Sequence, residues 1–509
     1  MICSPLAIML WEKVYLAHFG EDSESMNGVM RFPRIVIFAV FMAVIAMQGN
    51  SEAYAFSSSV ASLTAQDEKK LGKKLMLYVR ENYVIIEDPS IANYVEKIGQ
   101  RIVAEIPTLP FDFHFYVIEE EVYNAFAGPG GYIFINSGLL AAMESEEELA
   151  GIIAHEVAHV LCHHISKQMQ RAKKINIATM AGVLAAIFLG GGADVTSAMA
   201  TGSLATGQSF ALKYSREHEV EADQVGMKYL IKAGYGGEGL LRVLGEIRSA
   251  RWFGPEDIPT YLTTHPAVEA RMAYLDTWIQ THPKEAESVR PIDPTEFRKV
   301  RTKLIALYGD TEAARGTFDS ELRRDPEDAL AYYGKGLFLD REGHRKEAAE
   351  NLRKALQWRP LDPDIVRDLG KIYFHMGDYE IALKTLKGAL AFNPEDSEGW
   401  FLLGRSQAEM GDLDGALDSF KTLRNNAPHY LPGIYYLGET YGKLGSFGEA
   451  HFYLGFYYLE KGRFRNAEFH LNRAFDLLPK GTVKRNTVEK ALKQISGAEA
   501  NDRNKQSAW

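Results

Sequence analysis

His155, Glu156 and His159 stand in the spacing H-E-x-x-H. On a helix, residues four apart share a face, so both imidazoles can reach one ion with the Glu156 carboxylate beside them. Two neutral histidines and one further carboxylate would give zinc three protein ligands and leave a position for water. The metal would lower the pKa of that water. Glu156 could then take its proton and later deliver it to a leaving amine. The third ligand has to come from elsewhere in the chain. Ser215-Arg216-Glu217-His218-Glu219-Val220-Glu221-Ala222-Asp223 offers Glu219 and Asp223 on one helical face. One of these carboxylates could bind the metal while the other accepts the outer N–H of a ligating histidine and sets its tautomer. By spacing alone, Glu217 and Glu221 are rival candidates. The two cysteines, Cys3 and Cys162, exclude a cysteine zinc cluster and a disulfide framework, so metal chemistry falls to the 14 histidines.

These residues need helices to carry them. Ser145 and Glu148 form a capping box that predicts a helix through the H-E-x-x-H stretch. Ser215 opens a second predicted helix. Asp88 and Pro89 supply an N-cap and a first-turn proline before an apolar helical pattern over Ile91–Ile106. Phe111, Phe113, Phe115 and Val117 alternate as on a strand. A glycine-rich turn at 128–131 leads into a second predicted strand, Tyr132–Ile135. His163, four residues after His159, lacks the intervening glutamate and reads as structural. His164 is expected to pack or hydrogen-bond, and Cys162 to be a small core residue.

From about residue 294 strand signals vanish and the chain becomes periodic. Pro326, Pro360, Pro394 and Pro428 are 34 residues apart. Gly343, Gly377, Gly411 and Gly445 keep the same step, as do Gly336, Gly370, Gly404 and Gly438, and Ala348, Ala382, Ala416 and Ala450. Small residues at paired positions let two helices approach closely, and the pattern is identified as that of tetratricopeptide repeats. Gly309, Ala314 and Pro326 extend the frame upstream, with Thr302 where glycine is expected. Gly455, Gly462, Ala467 and Pro479 repeat it half a unit late, so helix 447–460 is expected to close one repeat and open the next. Tyr332, Tyr333, Tyr373, Trp400, Tyr435 and Tyr436 are expected mostly in the repeat core.

A chain of 509 residues with 46% hydrophobic and 24% charged residues is globular and holds two or three domains. Its formal charge of −10 offers nothing to capture nucleic acid. Met30–Arg34 is a short basic stretch before the apolar run Ile35–Met47, and Ala53-Tyr54-Ala55 has a signal-peptidase pattern. The expectation is an exported protein whose signal starts at Met30 and is cleaved near Ala55, since a membrane span needs about 20 apolar residues. Residues 175–207 are rich in Ala and Gly. They are read as helices packed on the zinc domain or touching a membrane surface, and the rival is a membrane-embedded peptidase anchored through 175–192.

The helical H-E-x-x-H with a later S-R-x-x-E-x-x-A-D resembles the zinc peptidase family that includes the CAAX prenyl proteases. An exported domain of this kind followed by tetratricopeptide repeats is similar to the BepA-type periplasmic proteases of Gram-negative bacteria. The resemblance implies His155, His159 and Glu219 as ligands of one zinc ion per chain, Glu156 as general base, and Asp223 in support of a ligand. Asn124, Ala125 and Phe126, with Gly130–Phe134, resemble the family's strand beside the cleft. Thr264-His265-Pro266, with Arg271 six residues after His265, matches a further motif. It would place His265 near the metal, as an oxyanion donor or a resting-state occupant, and makes Arg271 a candidate for transition-state contact or positioning.

The expected fold is an α+β zinc metallopeptidase domain, mostly helical with a small sheet, followed by an all-α tetratricopeptide-repeat solenoid. The expected divisions are 1–55 (upstream extension and signal peptide), 56–285 (peptidase), 286–480 (repeats) and 481–509 (terminal helix and tail). The implied function is periplasmic endoproteolysis in outer-membrane protein assembly and quality control. Its clients would be unfolded or misassembled outer-membrane proteins, and the repeats would hold the outer-membrane assembly machinery. The alternative is a chaperone or scaffold acting mainly through the repeats.

Overall fold

A computed structural model of the chain describes residues 64–171, 214–250, 260–286 and 290–506. The expected signal segment and the Ala/Gly-rich stretch 175–207 lie outside the described residues. Among those described, no helix is long and apolar enough to cross a membrane.

Helix α1 (Ala65–Asn82) is opened by a Thr64–Asp67 capping box. Helix α2 (Pro89–Val103) is opened by Asp88, whose carboxylate accepts from the Ser90 and Ile91 amides. It ends three residues short of the sequence expectation. Three strands follow: β1 (His114–Ile118), β2 (Ala125–Gly128) and β3 (Tyr132–Asn136). Their order is β1-β3-β2, with β1 parallel and β2 antiparallel to β3. Gly130 and Gly131 make the β2–β3 turn with φ of 76° and 92°, a region closed to most side chains. The ladder with β3 begins at His114, so Phe111 and Phe113 precede the strand although both are buried as the alternation predicted.

Helix α3 (Ser137–Ala142) leads to α4 (Glu146–Leu161), which Ser145 caps by accepting from the Glu148 amide. α4 is buried almost end to end, since α2, β2, α6 (Arg216–Lys232) and α7 (Glu238–Ala250) all pack on it. Gly226 on α6 allows this: a Cβ there would meet the Ala154 carbonyl at 2.9 Å. Short α5 (His164–Arg171) follows α4, while α8 (Thr260–Thr264) and α9 (Val268–Thr281) close the domain.

Helix α10 (Pro294–Tyr308), counted with the repeats in sequence, inserts Phe297, Val300 and Leu304 into the core of the preceding domain. Buried charges join the two parts beside it. Lys303 Nζ lies 2.9 Å from Asp88 Oδ2 and 3.6–3.7 Å from Asp368 and Glu398 on later repeat helices. Beyond α10 the chain is a run of antiparallel helix pairs such as Ala329–Arg341 with Arg345–Trp358 and Pro363–Met376 with Tyr379–Phe392. Helix Phe447–Glu460 packs on both Leu431–Lys443 and Phe464–Leu477, which is the expected half-unit shift. The last described element is helix Val483–Gln506.

Candidate metal centre

α4 and α6 cross with their buried faces together, so the i, i+4 pairs of both helices meet. His155, His159, Glu219 and His265 each present a ligand atom within 4.8 Å of the others, and all four are buried. His155 and His159 bring their Nε2 atoms 3.0 Å apart. Each lies 3.5 Å from one Glu219 oxygen. Glu217 and Glu221, equal to Glu219 by spacing, point outward and are exposed.

The outer nitrogens are also occupied. His155 Nδ1 is 2.9 Å from Asp223 Oδ1, which can only accept, and 3.2 Å from Arg271 Nη2, so both groups hold the ring from behind. Arg271, buried on α9, donates Nε and Nη2 to the two Asp223 oxygens and Nη1 to Glu219 Oε2 at 2.7 Å. Burial raises the Asp223 carboxyl, but Arg271 and His155 outweigh it and hold it well below the ordinary range. Burial and Arg271 push His155 down, yet Asp223 and Glu219 carry it up to about 9. His159, buried beside three other imidazoles, is held well below its ordinary value.

This donor set fits a divalent cation. Three carboxylates (Glu156, Glu219, Asp223) stand against one guanidinium in a buried site, a surplus that such an ion would neutralise. Among the described residues, neither Glu156 oxygen has a hydrogen-bond partner, nor does Glu219 Oε1. Buried carboxylate oxygens left so are costly unless something else faces them. Imidazole nitrogen with carboxylate oxygen is a donor mix suited to zinc.

His265 follows α8. Its Nδ1 meets Thr264 Oγ1 at 2.9 Å, and its Nε2 lies 3.3 Å from Glu156 Oε1 without hydrogen-bonding geometry. Tyr261 stacks on its ring at 4.2 Å. Asn124 is buried just before β2, the edge strand of the sheet, and accepts at 3.5 Å from Thr264, tying the His265 turn to that strand. Ala125 and Phe126 are likewise buried, Phe126 stacking on Phe134 at 4.9 Å.

Two residues at the centre escaped the sequence reading. Tyr214 stacks on His159 at 3.7 Å, just ahead of the α6 cap, with no spacing rule to mark it. His164, expected to pack or hydrogen-bond, meets His159 at 2.8 Å, a partner that no spacing rule marks. His163 pairs with Glu68 at 3.0 Å, away from the cluster, and Cys162 is half-buried instead of in the core.

Residues 89–287 match the profile of peptidase family M48, and tetratricopeptide-repeat profiles match 309–364, 341–406 and 398–430. The beta-barrel assembly-enhancing protease of Escherichia coli is 25% identical over 60% of this chain and 62% of its own length. Its Yersinia pestis counterpart is 26% identical over 62% and 63%. The mitochondrial metalloendopeptidase OMA1 of Schizosaccharomyces pombe is 27% identical over 36% and 52%. The chain thus spans less than two thirds of the length of each of these relatives. Residues 89–287 are a peptidase family M48 domain, and the chain joins it to a run of tetratricopeptide repeats.

Proposed function

We propose that the chain is an exported zinc-dependent endopeptidase acting in the periplasm, with its peptidase domain over 56–285, its repeats over 286–480 and a terminal helix and tail over 481–509. The observation that carries this reading is the convergence of His155, His159 and Glu219 in a buried cluster beside an unpartnered Glu156. These three residues hold the ion. Zinc there supplies Lewis acidity, polarising a peptide carbonyl and lowering the pKa of water. Glu156 takes the proton of the attacking water and returns it to the leaving amine. Asp223 fixes the tautomer of His155, and Arg271 positions Asp223 and Glu219 from behind. The Arg271 donors are already engaged there, so positioning is favoured over transition-state contact. An extended substrate pairs along the β2 edge at Asn124–Phe126.

His265 is read as a resting-state occupant of the open position, because it already belongs to the ligand cluster. The repeats hold clients or partners. The names of the relatives support a role in β-barrel assembly; unfolded or misassembled outer-membrane proteins are read as the clients and the assembly machinery as the partner. A scaffold acting through the repeats alone is separated from the enzyme by Glu156→Gln. This variant keeps the ligands and the repeats, and it is expected to leave a deletion strain's assembly defect uncorrected. Full correction would favour the scaffold.

A further inference from the structure

We propose that His164 and Glu221 form an outer arm of the metal centre that sets the tautomer and orientation of His159, making both of them positioning residues. The proposal rests on the reading that His155, His159 and Glu219 hold zinc.

On one continuous helix a residue five positions after His159 would face away from it. The chain avoids this at His163, whose φ of 52° lies in the left-handed region. α4 ends at Leu161 and α5 starts at His164, with the His164 ring brought back beside His159. His164 is fully buried, and its Nδ1 lies 2.8 Å from His159 Nδ1. Its Nε2 lies 3.1 Å from Glu221 Oε2. The His218 ring stacks on it at 4.3 Å and 19°, holding its plane.

The positions of the protons follow from these contacts. The Glu221 carboxylate can only accept, so the His164 proton sits on Nε2. His164 Nδ1 is then a lone pair and accepts from His159 Nδ1–H. That leaves the His159 Nε2 lone pair facing His155 and Glu219, the tautomer a metal ligand needs. Asp223 Oδ1 stands 2.9 Å behind His155 Nδ1, but in a wholly buried position. Glu221 is 48% exposed, with Lys167 Nζ 3.7 Å away, so this second arm runs from the centre to the surface. The residue that spacing made a rival ligand acts two hydrogen bonds out.

The test is zinc affinity by chelator competition on the full chain, with the visible spectrum of the cobalt-substituted protein as a second readout. His164→Phe keeps the bulk and removes both nitrogens; it should weaken zinc binding about 10–100-fold and alter the cobalt spectrum. His164→Asn places an acceptor near the Nδ1 position and should recover most of the affinity, whereas a packing role would be served better by Phe than by Asn. Glu221→Ala, at the surface, tests the arm even if a His164 variant folds poorly, and it should weaken binding by a smaller factor. Zinc-binding wild type with all three variants unchanged in affinity and spectrum would overturn the proposal. So would a second zinc equivalent lost with His164→Phe, since Cys162, His164 and Glu221 also place donor atoms within 4.8 Å and His164 would then be a ligand itself. Wild type that binds no zinc would overturn the centre and this arm together.

Discussion

Arg271 grips Asp223 with two nitrogens, Nε to Oδ2 at 2.9 Å and Nη2 to Oδ1 at 2.7 Å, with the guanidinium 1% exposed and the carboxylate 0%. A bidentate charge pair shielded from water holds geometry well, and removing one partner strands the other. Asp223→Asn keeps the shape but weakens the acceptor for His155, and should lower zinc affinity about 10–100-fold by chelator competition. Arg271→Met leaves two buried carboxylates unpaired and should cost about 3–5 kcal/mol in urea melts of the metal-free protein. Arg271→Lys should rescue little of it, because a single ammonium cannot reproduce the fork.

His265 offers a direct test of access to the centre. Its ring sits under Tyr261 and beside Glu156, within the ligand cluster. If it occupies the open position at rest, His265→Ala should raise the rate at which an unfolded reporter protein is cleaved several-fold, with zinc content unchanged. A fall in rate at unchanged zinc content would instead make His265 an oxyanion donor.

The join between peptidase domain and repeats should be sensitive to acid. Asp364 sits beside Arg367, with Nη1 2.9 Å from Oδ1, and also beside Lys299. Burial raises its carboxyl, but Arg367 and Lys299 outweigh that and bring it down to about 2. A depressed carboxyl contributes stability that is present above its unfolded value near 4 and is lost as pH falls through the folded one. Wild type should therefore lose on the order of 2 kcal/mol through this group between pH 4 and pH 2. Asp364→Asn should be less stable at pH 5 and show a flatter profile. Urea midpoints at several pH values measure both.

The repeat glycines should divide into two kinds. A Cβ at Gly370 would meet Leu386 Cγ at 2.8 Å, so Gly370→Val overpacks the helix pair and should cost about 1–3 kcal/mol. At Gly377 a Cβ meets open space but φ is 82°, so Gly377→Ala should cost only about 1 kcal/mol of backbone strain. Thermal melts of the two variants give the order.

Much of this was legible in the chain because it obeys fixed periods. His155 with His159 and Glu219 with Asp223 follow the helical turn, and the repeats follow their 34-residue step. Choosing Glu219 over Glu217 and Glu221 needed a family resemblance, since the spacing is the same and only the crossing of α4 with α6 turns one inward. His164 was hidden by the left-handed residue at His163, which breaks the helical period where a reader would extend it. Helix Pro294–Tyr308 reads as repeat because its periodicity is helical on every face. Phe297, Val300 and Leu304 reveal their partner only once the peptidase core is built.

The central claim is that one zinc ion, held by His155, His159 and Glu219, works with Glu156 to hydrolyse peptides. Metal content and reporter cleavage, measured together on purified wild type, Glu219→Ala and Glu156→Gln, test it most directly. Wild type is expected to carry about one zinc per chain and to cleave, and Glu219→Ala to lose both. Glu156→Gln should keep its zinc with cleavage reduced at least about 100-fold. Zinc retained in Glu219→Ala, or full cleavage by Glu156→Gln, would rule out this site and its chemistry.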